Sequence, residues 1–399
     1  MQVAHRRRMR IGLALSLLLA VGCGERAQDA GGTPASEPDA ATAACGAAGI
    51  GAVTLTTTST APLAIASDGT DLFWLDTFAP GSPATLHAVP VGGGAPRVVT
   101  AFSLWNAWVG YCDVTYPAGS DDPGGGTDTS CNTFSIVVDG GTVYAIGPVG
   151  VVSAPKAGGA ATALVTLDVP NDYVLGPAVS AGGSLYWVQQ HLPDDPDVTI
   201  SSSIQRLDLS TGAATTLVAE PASGATDSAV AADANHVYWV SGGGIQATTL
   251  TGSATTTVVS GTSLNPDYFA IAGDQLIWVN QEVSGGTCGL CGPPPTPQPE
   301  MVQFAPAASG GTTRTLITYP QSTDPSVSVF GDSTFVYVVA APLAENPGDT
   351  NGTLQAYRLG DASSTTLLTG VPLDLVAMDA CSVYFASGNT LQKVAKPAQ

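Results

Sequence analysis

A chain of 399 residues with 11% charged residues, 47 Gly and 29 Pro has the composition of a turn-rich β protein. Its net charge of −20 weighs against nucleic acid or anionic head groups as partners. Four of the twelve basic residues, Arg6, Arg7, Arg8 and Arg10, precede the first acidic one, which leaves the rest of the chain at about −24.

Those arginines form the basic region of a targeting leader, and residues 11–21 are an apolar run too short to span a bilayer. The run ends in LAVGC at residues 19–23, which resembles the lipobox of bacterial lipoproteins. The resemblance implies cleavage after residue 22 and palmitate-type lipidation of Cys23. Gly24 rather than Asp follows, which in such lipoproteins implies the outer membrane, periplasmic or surface-facing. Residues 23–44, rich in Ala, Pro, Gly, Asp and Glu with no apolar period, read as a disordered tether. Residues 45–399 are left for one folded domain. No apolar run of 18 residues occurs in it, so the lipid is the expected membrane attachment.

Within that domain one pattern recurs: an apolar strand, a tight turn of Gly, Asp or Asn, and a second strand with an aromatic pair. The copies lie at 63–76, 136–146, 178–188, 230–240, 269–279, 327–339 and 375–386. Their second strands are anchored by Phe73, Tyr144, Tyr186, Tyr238, Ile277, Tyr337 and Tyr384. Two further strand-like runs follow most copies, so the unit is four strands, A to D, the size of a propeller blade. The seventh copy lacks a D strand, and an orphan strand at 52–58 precedes the first. The fold predicted is an all-β, seven-bladed β-propeller closed by that N-terminal strand in the last blade, with six or eight blades as the alternatives.

In such a ring the A–B and C–D turns share one face, and the B–C and D–A connections share the other. The long connections, at 103–132, 189–201, 280–300 and 342–351, all belong to the second face. Loops grown on one side of a rigid scaffold are where binding is expected. Six cysteines remain besides Cys23, an even number that suits an oxidising compartment. Cys112 and Cys131 bracket the first insertion, Cys288 and Cys291 sit in another, and Cys45 and Cys381 fall on the same face of the seventh blade. A Cys45–Cys381 bond would staple the closure, by roughly 2–4 kcal/mol.

The first insertion carries Trp105, Trp108, Tyr111 and Tyr116 beside an acidic, Gly-rich run, a set suited to a sugar face or a protein partner, or else to capping its own blades. Asp194, Asp195 and Asp197 offer clustered carboxylates to Ca²⁺, though without the spacing of a calcium loop; otherwise no cofactor is expected. The CGLC pair at Cys288 and Cys291 reads as a small disulfide rather than a redox or zinc motif, because Pro-rich sequence follows instead of a helix. His191 alone among the three mature histidines falls on the loop face; His87 and His236 read as structural. No HExxH, GxSxG or phosphate-binding loop is present.

Tyr186-Trp187, Tyr238-Trp239 and Ile277-Trp278, each after a Gly/Asp turn, resemble the YWTD and TolB-like propeller repeats of lipoproteins from Gram-negative bacteria such as myxobacteria. Such repeats usually build six blades, and their Thr-Asp is replaced here by Val188-Gln189 and Val240-Ser241. Together these readings predict a monomeric, lipid-anchored binding or scaffold module for a protein or glycan. The alternatives are a propeller hydrolase or lactonase with a divalent metal, and an outer-membrane assembly factor.

Overall fold

The structure is a computed structural model that describes residues 51–76, 83–102, 114–115, 127–128, 134–147, 150–168, 171–191, 201–220, 229–241, 244–260, 269–280, 300–308, 311–319, 325–342, 352–373 and 375–398. Among these residues there are seven four-stranded antiparallel sheets, one two-stranded sheet and no helix. Blades 1 to 6 span residues 62–102, 135–166, 172–220, 230–260, 269–319 and 325–369, each in the strand order A-B-C-D. Blade 7 is built from both ends of the described chain. Strands Leu375–Met378, Ser382–Ser387 and Thr390–Ala395 supply A, B and C, and Val53–Thr57 supplies D. Val53 pairs with Lys393 and Thr57 with Thr390, and the Thr58 amide donates to the Asn389 carbonyl at 2.8 Å. The ring therefore has seven blades and closes as the repeat pattern predicts.

Alternation within strand B explains how the blades stack. Successive side chains point to opposite faces of a sheet, so each anchor faces one neighbouring blade and the residue after it faces the other. Tyr238 packs in a cluster with Phe269 and Leu276 of blade 5, while Trp239 packs with Tyr186 and Val188 of blade 3. Trp278 turns back into the cluster around Tyr238, and Ile277 turns forward to Val336 and Val338 of blade 6. The aromatic pairs are thus inter-blade packing, as the period of two implies.

The outer strands carry a regularity that simple alternation conceals. In all seven C–D pairs the register slips by one residue at the same rung. In D-strand terms the extra residues are Leu55, Val99, Leu164, Leu217, Val258, Leu316 and Leu367, all aliphatic. A bulge increases local twist and blunts an edge strand against pairing with another chain. Here it also lets two adjacent apolar residues, such as Leu367 and Leu368, sit in one outer strand.

Four of the seven A–B turns are capped by aspartate in the same way. Asp68, Asp233, Asp332 and Asp379 each accept, through Oδ1, the backbone amides two and three residues on, at 2.7–2.8 Å. Their Oδ2 atoms are used as well. Tyr238 donates to Asp233 at 2.7 Å, Tyr337 to Asp332 at 3.0 Å, and Tyr384 to Asp379. Burial, aided by the adjacent carboxylate, raises the pKa of all three phenols above the ordinary value of 10.0. Blade 3 has Gly182-Gly183 in the turn instead. Gly182 has φ of +54°, the left-handed region that favours glycine, and a Cβ there would also require the tip of Leu250 of blade 4, 2.5 Å away at Cδ1, to shift.

One residue past each C strand, the amides of Val91, Lys156, Leu209, Leu250, Ala307, Leu359 and Lys396 donate to the A–B turn of their own blade. Two of the seven side chains are lysines, and both reach the turn of the preceding blade. Lys156 pairs with Asp68, and Lys396 with Asp332 at 2.8 Å, the latter ammonium lying 5.4 Å from the Tyr337 ring centroid. Burial opposes ionisation of Asp332. The Lys396 charge and hydrogen bond, with the Thr334 and Phe335 amides, outweigh it and hold the carboxyl below its ordinary 3.8.

Candidate functional site

The face opposite these turns carries the long connections. Between blades 1 and 2, strands Val114–Thr115 and Thr127–Asp128 pair as a small hairpin, Val114 opposite Asp128, so the first insertion has structure of its own. Trp105, Trp108, Tyr111, Tyr116, Cys112, Cys131, Asp194, Asp195, Asp197, Cys288, Cys291, Cys23 and Cys45 lie outside the described residues. Cys381 lies within them, in the A–B turn of blade 7, and is disulfide-bonded. Among the described residues no group of three His, Cys, Asp or Glu side chains is placed to hold a metal ion.

His191 is described, and its position differs from the loop predicted for it. Strand B of blade 3 runs Ser184–His191, longer than its counterparts in blades 1, 2, 4, 5 and 7, so residues 189–191 belong to the strand and not to the connection. The A strand beside it, Asp172–Ala181, is the longest in the ring and carries an irregularity between Leu175 and Val179. The two extensions project a rung of sheet beyond the neighbouring blades. At its end Asp172 stands opposite His191, and His191 opposite Ser201, the first residue of strand C (Ser201–Asp208).

The first pair in this rung is joined by side chains. His191 Nδ1 lies 2.9 Å from Asp172 Oδ1, with the imidazole half exposed and the carboxylate largely covered. Asp172 is itself held in place, because its Oδ2 accepts the Asp168 amide at 3.1 Å while its own amide donates to the Asp168 carbonyl at 2.9 Å. Carboxylate contact at Nδ1 favours the tautomer that carries its proton on that nitrogen. Sequence reading singled out His191 and missed Asp172. The two are 19 positions apart, and only the extended register of blade 3 brings them together.

His87, by contrast, sits where structural service was expected. Its ring stacks on Trp74 at 5.0 Å and 12°, and Nε2 lies 2.8 Å from Asp76, which also accepts the Trp74 indole at 2.9 Å. His236 begins strand B of blade 4, 3.9 Å from Asp233 of the turn.

No family model and no curated protein matches the sequence. Solved structures that match do so at low identity, and what they share with this chain is the fold. An oligogalacturonate lyase in complex with manganese is 12% identical with a TM-score of 0.52, over 88% of this chain and 94% of that one. The β-propeller domain of the Trilobed protease from Pyrococcus furiosus, described as having an open velcro topology, is 8% identical with a TM-score of 0.53, over 86% and 98%. The acylaminoacyl peptidase of Pyrococcus horikoshii is 9% identical with a TM-score of 0.53, over 86% of this chain and 52% of that one.

Proposed function

We propose that this chain is an exported, lipid-anchored binding propeller that engages a protein or glycan through its long-connection face. The observation that carries the reading is the asymmetry of the ring. On one face no connection between consecutive described strands exceeds about 7 residues, while on the other, among shorter links, five connections run from 9 to 32 residues. Lipidation at Cys23 and a Cys45–Cys381 bond would fix the turn face toward the membrane and leave the aromatic insertion, with Trp105, Trp108, Tyr111 and Tyr116, facing outward. The net charge of −20 favours neutral or cationic partners.

The test is capture by the full chain, with Trp105→Ala/Trp108→Ala as the comparison, read against a glycan array and against envelope extracts analysed by mass spectrometry. Retention of a partner by the parent chain and at least about tenfold weaker retention by the variant would support the reading, since aromatic anchors commonly carry 1.4 kcal/mol or more. Equal retention would move the interface elsewhere. Recovery of a barrel-assembly complex would turn the reading toward an assembly factor.

The second reading, a divalent-metal hydrolase or lactonase, draws on the half-exposed imidazole of His191 beside Asp172, next in sequence to Asp194, Asp195 and Asp197. Manganese in an oligogalacturonate lyase of like fold keeps it in view. Metal analysis of the purified chain, with thermal stability before and after chelation, separates it from the first.

A further inference from the structure

We infer that Ser201, His191 and Asp172 form an acyl-transfer site for neutral carboxylic esters on the outer rung of blade 3. The three residues are consecutive cross-strand neighbours on three adjacent strands. Directly opposed residues present their side chains on the same sheet face with Cβ atoms about 4.5–5.5 Å apart. The order is therefore carboxylate, imidazole, hydroxyl, which is the order in which a nucleophilic serine is activated by a histidine held by an acid.

Each member has the surroundings its role needs. Asp172 is largely covered and fixed by the Asp168 amide on one oxygen, so its other oxygen is directed at His191 Nδ1. With Nδ1 so occupied, Nε2 is the ring nitrogen left for Ser201, which stands opposite His191 on strand C. Ser201 is exposed at the first position of its strand and can turn its hydroxyl toward that nitrogen or toward a ligand. Hydrogen bonds of this kind are often loose without substrate and tighten when it binds. The next two serines of the strand are committed elsewhere or face away. Ser203 Oγ receives Gln205 Nε2 at 2.8 Å and contacts the Gln189 carbonyl at 3.4 Å, while Ser202 lies on the opposite sheet face.

The chemistry balances with water as the only co-reactant. Ser201 Oγ attacks the ester carbonyl as Nε2 takes its proton, and the C–O bond to the alcohol breaks with that proton returned to the departing oxygen. Water then attacks the acyl-serine, again giving a proton to Nε2, and releases the carboxylic acid and the free hydroxyl. Asp172 stays ionised throughout and stabilises the imidazolium. Alcohol leaving groups suit an open site better than amines, and the negative charge of the chain disfavours anionic acyl groups.

The test is labelling of the purified full chain by a fluorophosphonate probe in the presence of a chelator, with the adduct located by peptide mass spectrometry. A single adduct on Ser201 is expected, absent in Ser201→Ala and formed about 100-fold more slowly in His191→Gln, within the usual worth of a general base. Asp172→Asn should slow labelling while leaving the ladder intact, because it releases the ring from the required tautomer. No adduct on Ser201, an adduct on another serine, or an equal rate in His191→Gln would overturn the assignment. None of these outcomes bears on partner capture, so the two proposals fail independently.

Discussion

The two faces of the ring use the same side-chain chemistry for opposite ends. On the turn face, carboxylates are saturated: Asp332 accepts two amides, a phenol and an ammonium, and every one of those donors belongs to the scaffold. On the long-connection face, Asp172 is held equally well, but the group it holds is a half-exposed imidazole. A polar network whose bonds all end within the scaffold makes stability. One that ends on a half-exposed titratable group makes reactivity available.

This contrast is broken most severely at Lys396. Replacing it by Met strands the Asp332 carboxylate beside a buried phenol, and a loss of about 2–3 kcal/mol is expected in denaturant unfolding. The pH dependence gives the sign independently. Asp332 has its folded pKa depressed, so its contribution is present above 3.8 and is lost as the pH falls through the lower folded value. The parent chain should therefore lose more stability on acidification than Lys396→Met does.

Tyr238→Phe and Tyr337→Phe are the next step down, at about 1 kcal/mol each for a hydrogen bond lost to a carboxylate that keeps its amide donors. Here the folded pKa values are raised above 10.0, so the tyrosines stabilise the fold below that pH and cease to as the pH rises through the folded values. The Phe variants should show a shallower alkaline loss in thermal melts. Smallest of all, Ser201→Ala and His191→Gln should leave stability within about 0.5 kcal/mol, because both side chains lie at an exposed strand end. A large loss from His191→Gln would make the pair structural and erase the difference between the faces.

Seven hairpins, their order and the closure by the first strand were legible because they rest on period-two alternation and on turn residues, both of which are local. The seven bulges were equally local and still escaped notice. In six of the seven, adjacent apolar residues such as Val258-Val259 and Leu367-Leu368 break the alternation where the register slips; in blade 7 Leu55 stands between two threonines and carries no such mark. The Lys–Asp latches and the Asp172–His191–Ser201 rung were not legible in the same way. They join residues 88, 64, 19 and 10 positions apart, and their meeting depends on blade stacking and on how far two strands of one blade extend. The aromatic insertion and the Asp194–Asp197 run lie outside the described residues and stand as sequence readings.

The joint between Val53–Thr57 and Thr390–Ala395 has a consequence in time. Thr58 and Asn389, which hydrogen-bond across it, are 331 positions apart. Strand Val53–Thr57 therefore waits, unpaired, for six blades to be synthesised before its sheet partner among the described strands exists. Contacts of such separation form slowly, and six finished blades stand ready before the seventh can be completed. A chain cut short anywhere before residue 390 leaves strand Val53–Thr57 without its partner, so the ring closes only once the last strand of blade 7 has been made.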